Sequence, residues 1–143
     1  MMINETLCQQ PISAVAYTGQ NKGQLGYSGY CNPFKIDKSW GYELIHQNHD
    51  LYCCKTLFIY PNKSCSYHLH MEKHETLLVV EGTLYIDTTH DKEMKTHIVN
   101  AGNAFVVAPG FIHSLRAQNE AVTLIECSTP SYDTDSIRIA NGE

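Results

Sequence analysis

The sequence predicts an all-β fold, a sandwich or closed barrel of short strands. After Trp40, short apolar runs rich in β-branched and aromatic residues follow one another, and turn residues end each run. No segment keeps the 3.6-residue apolar repeat of an amphipathic helix, so we expect little helix. The 143 residues amount to one domain, long enough to bury about 70% of the surface that the unfolded chain exposes.

Eight strands are predicted in chain order, at 51–60, 66–70, 76–80, 83–87, 96–99, 104–108, 113–117 and 121–127. Turn residues separate them, and Gly82 and Gly102 fit tight turns that need a positive φ. Pro109 cannot donate a ladder hydrogen bond, so it belongs at the end of a strand.

The first part of the chain has a different character. Four of the nine glycines lie between Gly19 and Gly29, and no helical or strand period survives there. We therefore predict an irregular N-terminal arm over 1–35 and a single barrel over 36–143.

Charge and hydropathy exclude several classes of protein. The formal net charge is -5, whereas nucleic-acid binders normally carry a basic excess, so no nucleic-acid partner is expected. No apolar run approaches the roughly 18 residues of a membrane helix. The polar N-terminus lacks the basic and apolar regions of a secretory signal, which predicts a cytoplasmic protein with no membrane partner.

Six cysteines occur without a CxxC pair, which argues against a zinc ribbon. Without an export signal, we expect them to be reduced thiols that act as small apolar residues. Cys53 and Cys54 are adjacent, so on a strand they would point to opposite faces of the sheet.

Four residues of types that commonly bind metals have a spacing that would bring their side chains together. His68 and His70 are two apart on a predicted strand, so both side chains leave the same face. Glu75 begins the next strand, and His113 follows the turn at Pro109. Imidazole and carboxylate donors suit Zn, Fe, Ni, Mn or Cu, and four of them leave positions open for water or substrate.

Two stretches resemble the cupin motifs. From His68 to Gly82 the chain has His-x-His, four residues, Glu75, six residues and a glycine; from Gly102 to His113 a Pro-Gly turn precedes the last histidine. The resemblance covers residues 40–128. It implies a double-stranded β-helix, the jelly-roll barrel of cupins. It also implies one divalent transition metal (Zn, Mn, Ni or Fe) on His68, His70, Glu75 and His113.

Two further stretches are similar to cupins of carbohydrate metabolism. Residues 38–43 resemble the entry segment of mannose-6-phosphate-isomerase-type cupins, and residues 126–138 resemble the tail of sugar-metabolising cupins. Bacterial bifunctional mannose-6-phosphate isomerases carry glutamine where His68 stands, so this chain has the general cupin ligand set. The resemblance implies a carbohydrate ligand, a homodimer and a metal-dependent sugar or sugar-phosphate isomerase.

The isomerase hypothesis needs a proton carrier and groups that bind the sugar. The candidates are His74, Tyr67 and Glu81 for proton transfer and Lys73 and Tyr85 for substrate binding.

Three other side chains have weaker claims to a site role. Lys55 and Arg116 could hold a phosphate, but we expect both to be solvated surface charges. Trp40 could stack on a sugar, although a place at the edge of the core is the simpler expectation.

Three other functions stay open at this stage. A non-haem iron dioxygenase would use the open metal positions for oxygen and substrate. A metal-independent sugar-nucleotide epimerase would use a His-Asp pair, and the complete ligand set argues against it. A non-catalytic sugar-binding cupin would only bind, since fold alone does not decide chemistry.

Overall fold

A computed structural model describes residues 32–90 and 93–140 of the chain. They form two antiparallel β-sheets packed face to face. The strands are β1 (Phe34–Lys38), β2 (Gly41–Asn48), β3 (Cys53–Ile59), β4 (Tyr67–His70), β5 (Glu75–Glu81), β6 (Thr83–His90), β7 (Glu93–Asn100), β8 (Ala104–Val107), β9 (Ile112–Arg116), β10 (Val122–Ser128) and β11 (Ser136–Ala140). Within these ranges the only helical element is a 3-10 turn at Asp133–Asp135.

The sheets contain six and five strands. The first has the order β1-β2-β3-β10-β5-β8, and the second has the order β11-β4-β9-β6-β7. Neighbours in space are mostly distant in sequence, as in a jelly roll, where each half of the chain contributes strands to both sheets. The all-β prediction with little helix is therefore confirmed.

All eight predicted strands are present, with ends shifted by a few residues. The sequence did not show β1, β2 and β11. In β2 the register shifts between Ile45 and Gln47, so the alternation of buried and exposed residues breaks in mid-strand. β11 is an edge strand whose Ile137 and Ile139 are exposed, so its pattern is not that of a buried strand.

The inward-facing residues change from apolar to charged along β3 and β10. On β3 they run from Ile59 and Leu57 to Lys55, and on β10 they run from Leu124 to Glu126; all five are buried. The apolar ends of these strands meet in one core cluster. One half of the interior is therefore apolar, and the other half is lined by charged side chains.

Gly82 makes the tight turn that joins β5 to β6. Its φ is 82°, and a Cβ placed there would lie 2.4 Å from the carbonyl oxygen of Ala121. Gly102 has a similar φ of 85° but open space around it. The predicted positive φ at both glycines is confirmed, and only at Gly82 does close packing add a second requirement for glycine.

The predicted N-terminal arm lies mostly outside the described residues, because the description starts at residue 32. β1 begins at Phe34, just before the predicted start of the barrel. In the part of the chain described, no helix is long and apolar enough to cross a membrane.

Candidate metal centre

The polar half of the interior opens into a cavity of about 480 Å³. Strands of both sheets line it. β4 and β9 contribute histidines, β3 and β10 contribute Lys55 and Glu126, and Trp40 stands at its apolar wall. This volume lies within the range of cavities that bind small molecules.

Three histidines converge at one side of this cavity. His68 and His70 leave the same face of β4, and His113 on β9 is the register partner of His68. One nitrogen of each ring lies within 4.8 Å of those of the other two. His70 and His113 are buried, while His68 is partly buried. The structure therefore brings together the three histidines that the sequence singles out.

Backbone carbonyls fix the orientation of two of these rings. Nδ1 of His68 donates to the carbonyl oxygen of Ser66 at 2.8 Å, and Nδ1 of His113 donates to that of Phe111 at 3.0 Å. A carbonyl oxygen can only accept, so Nδ1 carries the proton in both rings. In the neutral ring Nε2 then keeps its lone pair, the form in which imidazole binds metals.

The third ring, His70, has a carboxylate beside it. Its Nδ1 lies 3.7 Å from Oδ2 of Asp135 and makes no hydrogen bond. Asp135 also accepts hydrogen bonds at 2.9 to 3.0 Å from the backbone N–H groups of Met71, Glu72 and Lys73. One carboxylate thus organises the loop between the strand of His70 and the strand that begins at Glu75.

Glu75 presents one free oxygen to the histidines. Its Oε2 lies 3.2 Å from Nε2 of His113 but has no hydrogen-bond partner, while Oε1 lies 3.8 Å from Nε2 of His70. Lys73 donates to Oε1 at 2.5 Å. A buried carboxylate with one oxygen paired and the other unpaired fits a fourth metal ligand.

A network of buried charges continues from Glu75 across the cavity floor. Lys73 also lies 2.5 Å from Oε1 of Glu126, and Lys55 lies 3.8 Å from both Glu126 and Glu43. Buried ions persist only when paired. Glu43, Glu75 and Glu126 satisfy that condition through Lys55 and Lys73, and the more exposed Lys38 lies 3.9 Å from Glu43 at the same cavity.

The electrostatics of the site favour the metal-binding forms of its ligands. Burial lowers the pKa of His68 to about 4, and burial also lowers the pKa of His70. Burial opposes ionisation of Glu75, but the contact with His113 and the charge of Lys73 hold its pKa well below its usual range. At neutral pH, two of the imidazoles are therefore neutral and the carboxylate is ionised.

Unpartnered polar atoms gather at this site. Among the described residues, the buried side-chain atoms without a hydrogen-bond partner are Oε2 of Glu43, Nδ1 of His70 and Oε2 of Glu75. All three residues line the one cavity. Buried polar atoms are rarely left unpaired, and a missing ion is one of the usual reasons. The donor set and its unpaired carboxylate oxygen therefore fit a divalent transition metal.

The structure does not bring four of the predicted site residues to the histidines. Tyr67 and Tyr85 lie on the outer face of their sheet, because they alternate with inward-facing residues. His74 directly precedes β5 and Glu81 is the last residue of β5, and both are exposed. None of the four lines the cavity, whereas the predicted binding residue Lys73 does.

Two further expectations concern cations. Arg116 is partly buried on the outer face, where its Nε donates to Oδ2 of Asp87 at 2.7 Å, so it is not available to a ligand in the cavity. Lys55 is only 4% exposed, so the expectation that it is a solvated surface charge is wrong. The reason is its inward-facing place on β3, where Glu126 and Glu43 compensate its charge.

Sequence reasoning did not find Glu43, Glu126 and Asp135 as site residues. Glu126 had one signal, since it interrupts the apolar alternation of a buried strand. Glu43 lies on the bulged strand β2, and Asp135 lies in the short 3-10 turn between β10 and β11, so neither has a local pattern that marks it as buried.

Comparison with known proteins places this geometry in a family. The cupin family model matches residues 51–141. A D-lyxose/D-mannose isomerase of Thermosediminibacter oceani is 25% identical over 117 residues, which cover 66% of this chain and 65% of the isomerase. The chain therefore spans just under two thirds of that relative.

Solved structures share the fold at low identity. The capsular polysaccharide assembling protein CapF of Staphylococcus aureus superposes with a TM-score of 0.66 at 19% identity, covering 76% of this chain and 34% of CapF. Oxalate decarboxylase of Bacillus subtilis has a TM-score of 0.67 at 12% identity, covering 79% of this chain and 33% of that enzyme. The two-sheet barrel, the paired motifs and the family match agree: the chain belongs to the cupin family.

Proposed function

We propose that this cupin is a metal-dependent aldose–ketose isomerase that acts on an unphosphorylated sugar. The observation that supports the proposal is that one cavity combines three converging histidines and the carboxylate of Glu75 with a second buried carboxylate, Glu126. Aldose–ketose isomerisation needs both an electrophile for the sugar oxygens and a group that moves a proton between two carbons.

His68, His70, Glu75 and His113 would hold the metal. A divalent metal bound there supplies Lewis-acid stabilisation of the negative charge that develops on the sugar oxygens. The chain prepares its ligands by fixing the rings of His68 and His113 on carbonyl oxygens and by keeping Glu75 ionised.

Glu126 is the group that we assign to proton transfer. It is 4% exposed, and although burial opposes its ionisation, the charges of Lys55 and Lys73 lower its pKa. It is therefore a carboxylate at neutral pH, able to accept a proton from a sugar carbon. Glu75 is the other carboxylate next to Lys73, but its free oxygen faces the histidines.

The pairing of the buried lysines favours a neutral sugar over a sugar phosphate at the cavity floor. Lys55 and Lys73 already face carboxylates there, and Lys38 at the same cavity lies 3.9 Å from Glu43. A phosphate placed at the floor would meet lysines whose charges are already compensated. The similarity to an isomerase of D-lyxose and D-mannose supports the same substrate class.

The test is turnover by the metal-loaded protein. D-Lyxose, D-mannose and mannose 6-phosphate are each incubated with protein reconstituted with Mn, Zn, Ni or Fe, and the ketose is quantified. The expected result is conversion of a free sugar. Glu126→Gln should lower kcat by about 100-fold or more while the metal content stays unchanged.

Glu81→Gln is the matched control, since Glu81 is an exposed carboxylate outside the cavity, and its kcat should stay at the wild-type value. Failure of every metal form to convert any aldose would overturn the proposal. Calorimetric binding of D-mannose without turnover would then favour a sugar-binding module, and substrate-dependent oxygen consumption would favour a dioxygenase.

A further inference from the structure

Two cysteines stand opposite each other on the outer face of the six-stranded sheet. Cys54 on β3 is the register partner of Cys127 on β10. The neighbouring residues Cys53 and Ser128 form the next register pair and are buried, so the two thiols of interest point away from the interior. This also confirms the prediction that Cys53 and Cys54 face opposite ways.

The register places these two thiols within reach of a disulfide bond. Directly opposite residues in an antiparallel pair have Cα atoms about 4.5 to 5.5 Å apart, whichever type of pair they form. A disulfide requires a Cα separation of about 4.4 to 6.8 Å. The register therefore meets the Cα requirement for a disulfide, and Cys127 lies close enough to Cys54 to influence the pKa of its thiol.

The two thiols differ in access to solvent. Cys127 is exposed and Cys54 is partly buried. Burial, followed by the neighbouring Cys127, raises the pKa of Cys54. The first reaction with an oxidant is therefore expected at Cys127. Cys54 is the thiol that then attacks the oxidised sulfur of Cys127.

The structure points to a redox-active dithiol: we infer that Cys54 and Cys127 are oxidised by a peroxide to a reversible cross-strand disulfide. The Cys127 thiolate attacks one peroxide oxygen, which breaks the O–O bond and leaves a sulfenic acid and, after protonation, one water. Cys54 then attacks that sulfur, forms the S–S bond and releases a second water. The two thiols lose two electrons and two protons, which hydrogen peroxide takes up.

The proposed cross-link lies directly behind the cavity. The register pair next to Cys54 and Cys127 is Lys55 and Glu126, whose side chains point inward. Oxidation would therefore link β3 to β10 at the register pair directly next to the site residues Lys55 and Glu126. The inference concerns the outer face and does not depend on the proposed isomerase activity.

The test uses the full chain with Cys8 and Cys31 replaced by serine, so that only cysteines of the described barrel can react. The protein is treated with equimolar hydrogen peroxide, alkylated and mapped by mass spectrometry. We expect two thiols to disappear and the molecule to lose the mass of two hydrogen atoms. The peptides that contain Cys54 and Cys127 should be linked, and dithiothreitol should restore both thiols.

Single variants make the outcome specific. Cys127→Ser should abolish the linked peptide, and Cys54→Ser should leave a sulfenic acid on Cys127 that dimedone traps. Cys53→Ala, which removes the adjacent buried thiol, should leave the linkage unchanged, with folding checked by circular dichroism. Persistence of both thiols, a link between two molecules, or oxidation of Cys127 to sulfinic acid without a link would each overturn the inference.

Discussion

His68 on β4 and His113 on β9 face each other as register partners, with ring centroids 4.4 Å apart. Each ring is turned by a hydrogen bond to the carbonyl oxygen two residues before it. The same hydrogen bond therefore orients one histidine of each cupin motif, His68 in the first and His113 in the second. Its result is a pair of Nε2 atoms that face one point before any ligand arrives, which lowers the ordering cost of binding.

The loop that joins the ligand-bearing strands β4 and β5 depends on Asp135. Asp135→Asn should lower metal affinity about 10- to 100-fold, because it weakens three backbone hydrogen bonds and removes the charge beside His70. Competition with a chromophoric chelator measures the affinity. Asp133→Asn removes the same charge from the same turn and is the control. Equal affinities for the two variants would contradict this role.

Lys73 holds two buried carboxylates together. Lys73→Met leaves Glu75 and Glu126 facing each other without their shared cation, so the free energy of unfolding should fall by about 3 to 5 kcal/mol. Urea denaturation of the metal-free protein measures it. Lys38→Met, at a lysine that is 35% exposed and 3.9 Å from Glu43, should cost at most about 1 kcal/mol. Similar losses in the two variants would refute the shared-cation account.

A comparison of Gly82 with Gly102 separates the cost of backbone strain from the cost of steric crowding. Gly82→Ala and Gly102→Ala both place a Cβ at a positive φ, which costs about 1 kcal/mol. Gly82→Ala also drives its Cβ to 2.4 Å from the carbonyl oxygen of Ala121, so it should be the more destabilising by a further 1 kcal/mol or so. Thermal unfolding compares them, and a Gly102→Ala variant as unstable as Gly82→Ala would count against this explanation.

The ion pair on the outer face gives a pH-dependent prediction. Burial opposes ionisation of Asp87, but hydrogen bonds from Arg116 and Thr96 lower its pKa below the ordinary 3.8. A lowered folded-state pKa stabilises the protein above that ordinary value, and the stabilisation is lost as the pH falls through the folded-state pKa. Arg116→Gln should therefore cost about 1 kcal/mol at pH 7.

The difference in free energy of unfolding between wild type and Arg116→Gln should close in acid, as Asp87 becomes protonated. Denaturant titrations between pH 7 and pH 2 measure this difference. Lys35→Gln, which breaks an exposed pair with Asp37, should show little effect at any pH. If the difference in free energy of unfolding between wild type and Arg116→Gln stays constant across this range, Asp87 is not the titrating partner.

Local pattern was enough to find eight of the eleven described strands and the three histidines. His68 and His70 share a face because side chains alternate along a strand, and the distance of His113 in sequence is bridged by the pairing of β4 with β9. The same alternation applied to Tyr67 would have placed it on the outer face, since it precedes His68 on one strand. Tyr67, His74 and Glu81 are close to the histidines in sequence, but closeness along the chain does not place a side chain on the inner face.

The rest of the site depends on pairings that are distant in sequence. Glu126 faces Lys55 only because β10 lies beside β3, and it reaches Lys73 only across the interior. Lys55 looked like a surface lysine because its compensating carboxylates are remote in sequence. Burial of a charged side chain is decided by its partners, and sequence pattern alone does not reveal them.

Metal content tests the central claim most directly. The untagged protein, prepared without chelators and reconstituted with a divalent transition metal, is analysed by plasma mass spectrometry beside the His70→Ala, His113→Ala double variant. The account predicts close to one metal ion per chain in the wild type and loss of that metal in the double variant. No bound metal in the reconstituted wild type, or equal metal in both proteins, would contradict a centre built on His68, His70, Glu75 and His113.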